Sequence, residues 1–454
     1  MPGQPPRPAR DSLQEPAANG QEWKVGRIAA LRHWWRTTPT ALRQVIGPRA
    51  AALLAPLQHR DFRLFFTGQA VSTCGTWMQV VGQAWLVLEV THSAFLLGVV
   101  SALQWSPTLV LSLPAGVLAD RIPKRALLIA TQTSSLLLAG SLGALTILGW
   151  VRYWHIATAA TLLGIVNAVD MPTRQALIIE LVEGPEDLTG AIALNSALFN
   201  STRLIGPSLA GVVIAAWGTG VAFLANAASY LGIILALMVI RMEFTVPVAP
   251  GIRLLTGVRD GMRFVWRTPT VLWVLIALGV LALFPMNFDL FVPVLARSQL
   301  RVGVTGFGFL TAIQGAGALV AALVVAAMGR SVPRRMFLLC AAIVLCCATM
   351  ALGLARTAVA AAILLFIAGG SMVAFTAIAN GTVQVDTPDA LRGRVMSLYN
   401  LVYNGTTPPG ALLIGWLIET VGLPAALGIT GGIGLVSTVG IYAGLLRRRR
   451  TILG

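Results

Sequence analysis

Two charged residues stand where charge is costly. Asp289 lies in Phe284-Pro-Met-Asn287-Phe288-Asp289, inside a long apolar stretch, and Arg203 lies midway along another. A charged side chain at the centre of a bilayer costs about 2.5–3.5 kcal/mol on insertion scales, so each is a functional candidate by default. A carboxylate at Asp289 can exchange a proton for a cationic compound, since either one neutralises it. Its other reading is a helix-turn cap at the outer interface, with the span ending early at Pro293. Glu89, at the outer end of the first apolar run, is the second protonatable candidate, and interfacial solvation also accounts for it. Arg203 can attract an anionic group or pair with a carboxylate such as Asp170.

Amides and aromatics at the same depth could line a cavity. Gln104 and Gln314 occupy matching places in a repeat. Trp77, Gln79 and Gln83 share one face of the first run, and Asn200, Asn287, Asn380 and Asn404 add polar depth from other runs. A buried amide needs a partner or water. A cavity between two halves supplies both, and helix–helix hydrogen bonding is the alternative. With Met78, the set suits a bulky amphipathic compound better than a small sugar.

A third group reads as a hinge. Gly116-Val-Leu-Ala-Asp120-Arg121-Ile-Pro123-Lys124-Arg125 separates two apolar runs, with a small residue, an acid and then three cations. Asp170 and Arg174 sit at the inner end of the fourth run, and either Arg125 or Arg174 can pair with Asp170. Gly206, Pro207 and Gly211 in the fifth run permit close packing and a kink.

Other chemistries are set aside. Lysine occurs only at Lys24 and Lys124, and neither follows a Gly, so no Gly-Lys-Ser/Thr phosphate loop exists. His33, His59, His92 and His155 form no His-Glu-x-x-His pair. Gly206-Pro-Ser208-Leu-Ala-Gly211 is not a Gly-x-Ser-x-Gly elbow. Cys74, Cys340, Cys346 and Cys347 lie in apolar runs without metal-ligand spacing and read as small buried hydrophobes. No enzyme activity, cofactor or metal is expected.

The elements that hold these residues follow from composition. Of 454 residues, 56% are hydrophobic and 11% charged, against about 25% charged in a soluble domain. Lipid must therefore be the solvent. A net charge of +16 could suggest nucleic acid, but the cations cluster in short segments between apolar runs. Windows of about 20 apolar residues predict an all-α membrane protein. Twelve spans are expected: 63–89, 94–119, 125–149, 154–176, 188–216 and 219–240, then 269–297, 304–328, 335–354, 357–382, 394–418 and 424–446. With both termini inside, only Arg152, Arg297, Arg301 and Arg356 fall outside and Arg203 within the membrane, from 33 Lys and Arg in all.

The chain is built twice. Gly98-Val-Val-Ser101-Ala-Leu-Gln104 matches Gly308-Phe-Leu-Thr311-Ala-Ile-Gln314, and Pro123-Lys-Arg125 matches Pro333-Arg-Arg335. Pro185-Glu-Asp-Leu188-Thr-Gly190 matches Pro388-Asp-Ala-Leu391-Arg-Gly393. The second hinge has Arg330 where the first has Asp120. The expected organisation is a disordered basic tail (1–56), a six-helix bundle (57–240), a cytoplasmic linker with an amphipathic helix (241–268), a second bundle (269–446) and a short basic tail (447–454). Parallel halves related by an axis along the membrane normal are one plan of transporters, with substrate bound between them.

Three segments together resemble the major facilitator superfamily: Gly116 to Arg125, Arg203-Leu-Ile-Gly206-Pro207-Ser-Leu-Ala-Gly211, and Thr387-Pro388-Asp389-Ala-Leu391-Arg392-Gly393-Arg394-Val-Met396-Ser. With Asp170-Met-Pro172-Thr-Arg174-Gln175, they are similar to the branch of the enterobactin exporter and macrolide-efflux proteins. Pro123 stands where the loop motif usually has Gly, and Ala210 precedes Gly211 where exporters have two glycines. The resemblance implies two pseudo-symmetric six-helix bundles in a bacterial plasma membrane. It also implies proton-coupled export of a drug, macrolide or siderophore by alternating access, with protons, a small molecule and lipid as partners, no nucleic acid, and a monomer. It implies that Asp120 meets the start of the eleventh helix as a latch when the inner side is shut, although a charge cluster that only sets topology explains the motif too.

Overall fold

The structure, a computed structural model, describes residues 54–182, 184–240, 254–328 and 334–453. Most of the expected tail, the start of the expected linker, and Arg330 and Pro333 lie outside these residues. Six helices come first: α1 (Arg60–Thr91), α2 (Ala94–Arg121), α3 (Lys124–Ile147), α4 (Tyr153–Glu180), α5 (Pro185–Trp217) and α6 (Thr219–Val239). The linker helix α7 is Leu254–Arg267. Then follow α8 (Pro269–Leu283), α9 (Phe288–Val294) with a π turn at Leu295–Gln299, α10 (Gly303–Met328), α11 (Arg334–Leu352), α12 (Ala358–Asp386), α13 (Asp389–Gly405), α14 (Thr407–Val421) and α15 (Leu423–Leu453). No strand occurs among the described residues. The last helix runs on through Arg447–Arg450, where a separate tail was expected.

Among the described residues ten segments are long and apolar enough to cross a membrane. The two expected spans outside that set have distinct reasons. Helix α1 has the length, but Gln69, Ser72, Thr76, Gln79 and Gln83 dilute its apolar character. The eleventh span is divided at Gly405–Thr406 into α13 and α14, where Pro408 and Pro409 remove two helix donors.

The seventh span is also broken, between α8 and α9. Pro285 cannot donate to the helix ladder. Asn287 repairs the gap: its Nδ2 donates to the carbonyls of Ala282 (3.2 Å), Leu283 (2.9 Å) and Phe284 (3.3 Å). Orphaned carbonyls at lipid depth must be satisfied internally, so this amide belongs to the fold.

The two halves repeat in space. Helix α2 packs on α4 as α10 packs on α12, and α3 packs on α6 as α11 packs on α15. Gly218 (φ 86°) ends α5 and Gly422 (φ 81°) ends α14, each in a conformation that disfavours a side chain. A Cβ on Gly164 would stand 2.2 Å from the Gln104 carbonyl oxygen, and one on Gly369 would stand 2.2 Å from that of Gln314. The duplicated glutamines thus mark duplicated backbone crossings, each possible only because the partner helix presents a glycine.

Two further crossings join the bundles. A Cβ on Gly98 would meet the Ala411 carbonyl oxygen at 2.3 Å, and one on Gly308 the Pro207 carbonyl oxygen at 2.4 Å. Gly415 closes on Ala94 and Phe95 as Gly211 closes on Thr305. Helix α2 therefore seats on α14, and α5 on α10, near the end where α2 and α10 begin.

The core is distributed accordingly. At that end one continuous cluster includes Val87, Leu97 and Ile156 of the first bundle and Phe291, Leu352, Leu365 and Ile414 of the second. At the end bearing Arg121, Lys124, Arg125, Arg334, Arg335, Arg392 and Arg394, hereafter the basic end, each bundle has its own. The first holds Phe62, Phe65, Leu128, Leu177 and Leu237. The second holds Val271, Leu278, Leu338, Phe375, Val383 and Val395. The bundles are packed together at one end and apart at the other.

Candidate functional site

The bundles bring Arg203 and Asp289 into one electrostatic neighbourhood. Arg203 is carried by α5, which lies flat on α1 at Gly206: a Cβ added to that glycine would stand 2.5 Å from Trp77 Cβ. The guanidinium sits 5.5 Å from the Trp77 ring centroid, and Trp77 meets Phe199 edge-on at 5.6 Å. Cation–π contact suits a half-buried arginine whose charge has no direct ion pair.

Asp289 comes from the other bundle. Its neighbours Phe288, Leu290 and Phe291 on α9 are no more than 3% exposed, while Asp289 itself is solvent-exposed. Within α9, Asp289 is the one residue whose side chain is left open. Asp289 is within electrostatic reach of Arg203 without an ion-pair contact, and Tyr403 of α13 feels both charges. Arginine, carboxylate and phenol from α5, α9 and α13 thus lie within electrostatic reach of one another across the two bundles. They can hold a proton, an anion or a cation there without any single partner neutralising the site.

The other expected cavity residues divide by partner. Gln83 Nε2 donates to Gln104 Oε1 (2.9 Å), which ties α1 to α2 inside the first bundle. Gln79 accepts from Asn226 of α6, which also reaches the Tyr230 hydroxyl (3.3 Å). Gln79 is therefore committed to α1–α6 packing and does not face the second bundle. Asn200 donates back to the Ser196 carbonyl (2.8 Å), Asn380 accepts from Gln384, and Asn404 is exposed. Gln314 is buried, and its Nε2 has no partner. Asn287 is spent on the α8–α9 break. Glu89 is exposed at the end of α1, remote in the chain from every member of the charged cluster.

The hinge residues are engaged within the first bundle. Asp170 is 5% exposed and accepts from Thr131 (2.8 Å), Gln132 (2.6 Å) and both Nε (3.0 Å) and Nη2 (2.6 Å) of Arg174. Arg174 is the partner because it lies one helical turn away on α4. Arg125 does not reach Asp170; it donates to the Met238 carbonyl (2.7 Å). Arg203, over Trp77, does not pair with Asp170 either. Lys124 pairs with Glu180, and Arg121 is exposed. The side chain of Asp120 lies outside the described residues. A Cβ on Gly116 or Gly393 would meet nothing within 4 Å.

Sequence reasoning missed Tyr403 and Glu419. Tyr403 adjoins the selected Asn404, and an aromatic beside an amide in a polar span was the available signal. Glu419 accepts hydrogen bonds from the start of α2. Its signal was Gly410-x-x-x-x-Gly415, which repeats Gly206-x-x-x-x-Gly211 and places Glu419 one turn beyond a packing motif.

Known proteins share this architecture. The staphyloferrin A transporter of Staphylococcus aureus is 35% identical over 189 residues, covering 41% of this chain and 47% of that protein. That match therefore spans about half of the relative. The multidrug efflux pump Tap of Mycolicibacterium fortuitum is 28% identical over 387 residues, covering 82% and 93%. The crystal structure of the nucleoside transporter NupG superposes with a TM-score of 0.69 at 10% identity, covering 85% of this chain and 98% of that one, and so shares the fold. The chain also matches the transmembrane secretion effector family over residues 51–450, almost its whole length after the N-terminal tail. It belongs to that family, and is a multi-pass membrane transporter of the major facilitator superfamily.

Proposed function

We propose that the protein exports a hydrophobic or amphipathic small molecule in exchange for protons by alternating access. The observation that carries this reading is that Arg203 and Asp289, on different bundles, lie within electrostatic reach of each other without an ion pair. Rocking the bundles about their closed end changes the spacing of the two charges. A proton or a cationic substrate at Asp289 then competes for the same carboxylate, which links proton entry to substrate exit. The basic end is cytoplasmic by its Arg and Lys content, and the protein acts as a monomer in a bacterial plasma membrane. Drug and siderophore names among the relatives fit an amphipathic cargo. Asp120 re-forms its latch on the start of α13 when the basic end shuts.

Flipping of a lipid-like substrate is the second reading. It draws on a lateral groove of about 670 Å³ between α1, α5 and α6, lined by Val71, Cys74, Ile205 and Leu209. Reconstituted vesicles with an imposed pH gradient test both readings, using a fluorescent lipophilic cation in one arm and a fluorescent phospholipid in the other. Asp289→Asn is expected to abolish the pH-driven component of cation flux and leave binding measurable. Wild-type protein that moves neither probe in response to the gradient refutes the antiport reading. Wild-type flux retained in Asp289→Asn removes the carboxylate from its role.

A further inference from the structure

The closed end carries a contact that packing and symmetry do not require. Glu419, in the last turn of α14, reaches across to the first bundle. Its Oε2 accepts from the Ala94 amide (2.9 Å), the Phe95 amide (3.3 Å) and the Ser93 hydroxyl (3.2 Å). These residues open α2, and Ser93 is its N-cap, accepting from the Leu96 amide at 3.2 Å. The first amides of a helix have no partner within it, and they carry the positive end of its dipole. Here a carboxylate of the opposite bundle satisfies them.

Among the described residues the contact has no symmetric copy. The spacing that carries Gly211 onto Gly415 carries Ala215 onto Glu419, and the spacing that carries Gly98 onto Gly308 carries Ser93 onto Gly303. Neither Ala215 nor Gly303 has a side chain able to copy the bond. The symmetric seam between α5 and α10 is joined by the Thr305 hydroxyl to the Gly211 carbonyl (3.3 Å), a neutral bond. Thus one helix pair, α2 with α13–α14, has a carboxylate in the last turn of each member. Asp120 ends α2 at the basic end, and Glu419 ends α14 at the other.

We propose that Glu419 is a positioning residue for transport, the latch that holds the end away from the basic end shut and that must let go of α2 before that end opens. Its consequence for flux rests on the alternating-access reading above, but the latch itself is read without flux. Spin labels attached at Trp150→Cys and Leu354→Cys, both exposed on loops of different bundles at the closed end, report its opening in a background without native cysteines. In lipid nanodiscs Glu419→Ala is expected to raise the open-to-closed ratio at this end about fivefold, the size of a lost helix cap. Glu419→Gln keeps an acceptor without charge and shifts it less, which preserves the test if Glu419→Ala does not fold.

A third variant separates a latch from a plain cap. Ser93→Asp combined with Glu419→Ala caps α2 from within its own bundle. Thermal stability is expected to recover, while the distance distribution stays open. Unchanged distributions in both single variants overturn the inference, and so does a distribution restored by Ser93→Asp. A distance shift in a protein that moves no probe keeps the latch and removes the transport reading.

Discussion

The two bundles share a backbone plan and are held together by different means. The first is tied by polar networks: Asp170 with Thr131, Gln132 and Arg174, Gln79 with Asn226 and Tyr230, and Gln69 with Asn195 (2.8 Å). Its six helices are continuous. Among the described residues the second bundle has side chain-to-side chain bonds at half-buried or exposed positions, such as Arg335 to Thr270 (3.2 Å) and Arg394 to Asp260 (2.8 Å). Its cluster at the basic end is apolar, and two of its spans are broken, at Asn287 and at Thr406. Interhelical hydrogen bonds add to close packing in holding membrane helices together, and a helix bends most readily where its ladder is broken. We read the first bundle accordingly as a platform and the second as the part that bends.

The largest expected effect tests the platform. The spacing that carries Gly164 onto Gly369 carries Asp170 onto Phe375, so one buried position is a carboxylate in one bundle and a phenyl ring in the other. Phe375 is 2% exposed and Asp170 5%. Asp170→Ala leaves Arg174 charged, mostly buried and unpaired, and should cost about 3–5 kcal/mol. Thermal unfolding of the purified protein measures this. A midpoint close to wild type would mean that the polar network does not hold the first bundle, and the contrast with the second would lose its basis.

A smaller effect tests the bending part. Asn287→Ala removes the amide that serves three carbonyls at the α8–α9 break. Buried acceptors left without a donor should cost about 1–3 kcal/mol, again read from thermal unfolding. If Asn287→Ala is neutral, water or a shifted helix supplies the donor, and the break does not depend on its own sequence.

How much of this was legible in the sequence follows the same divide. Apolar runs located the spans because lipid exposes their length directly, though not the breaks in the seventh and eleventh, and the linker helix was visible because its arginines alternate with Leu254, Leu255, Val258 and Val265 at helical spacing. The repeat from Gly98 to Gln104 was legible as a repeat, but its purpose was not. A glycine shows its use only when the opposing carbonyl is in place, as with Gly98 and Ala411. The partner of Asp170 lay beyond sequence reasoning, since Arg125 and Arg174 were both near and only helix rotation chooses between them. Arg203 and Asp289 were each selectable from their depth. That they share a region depends on how α5 and α9 lie across the bundle interface, which no local pattern encodes.

The smallest effect concerns what the linker contributes to the second bundle. Helix α7 lies along α13, with Gly261 close to Arg394 Cβ and Asp260 bonded to the Arg394 guanidinium at 2.8 Å. The two side chains are 52% and 45% exposed, so water and salt screen the pair. Asp260→Asn should then cost no more than about 0.5 kcal/mol, and less at high salt. Thermal unfolding at low and high ionic strength checks both statements. The apolar face of α7, with Val265 at 3% exposure in the second bundle's core, is what fastens the helix there. A cost well above about 1 kcal/mol, insensitive to salt, would instead make this ion pair a fixed tie between linker and bundle. The second bundle would then have a polar clamp of its own at the basic end, and its freedom to bend would have to reside wholly in the breaks at Asn287 and Thr406.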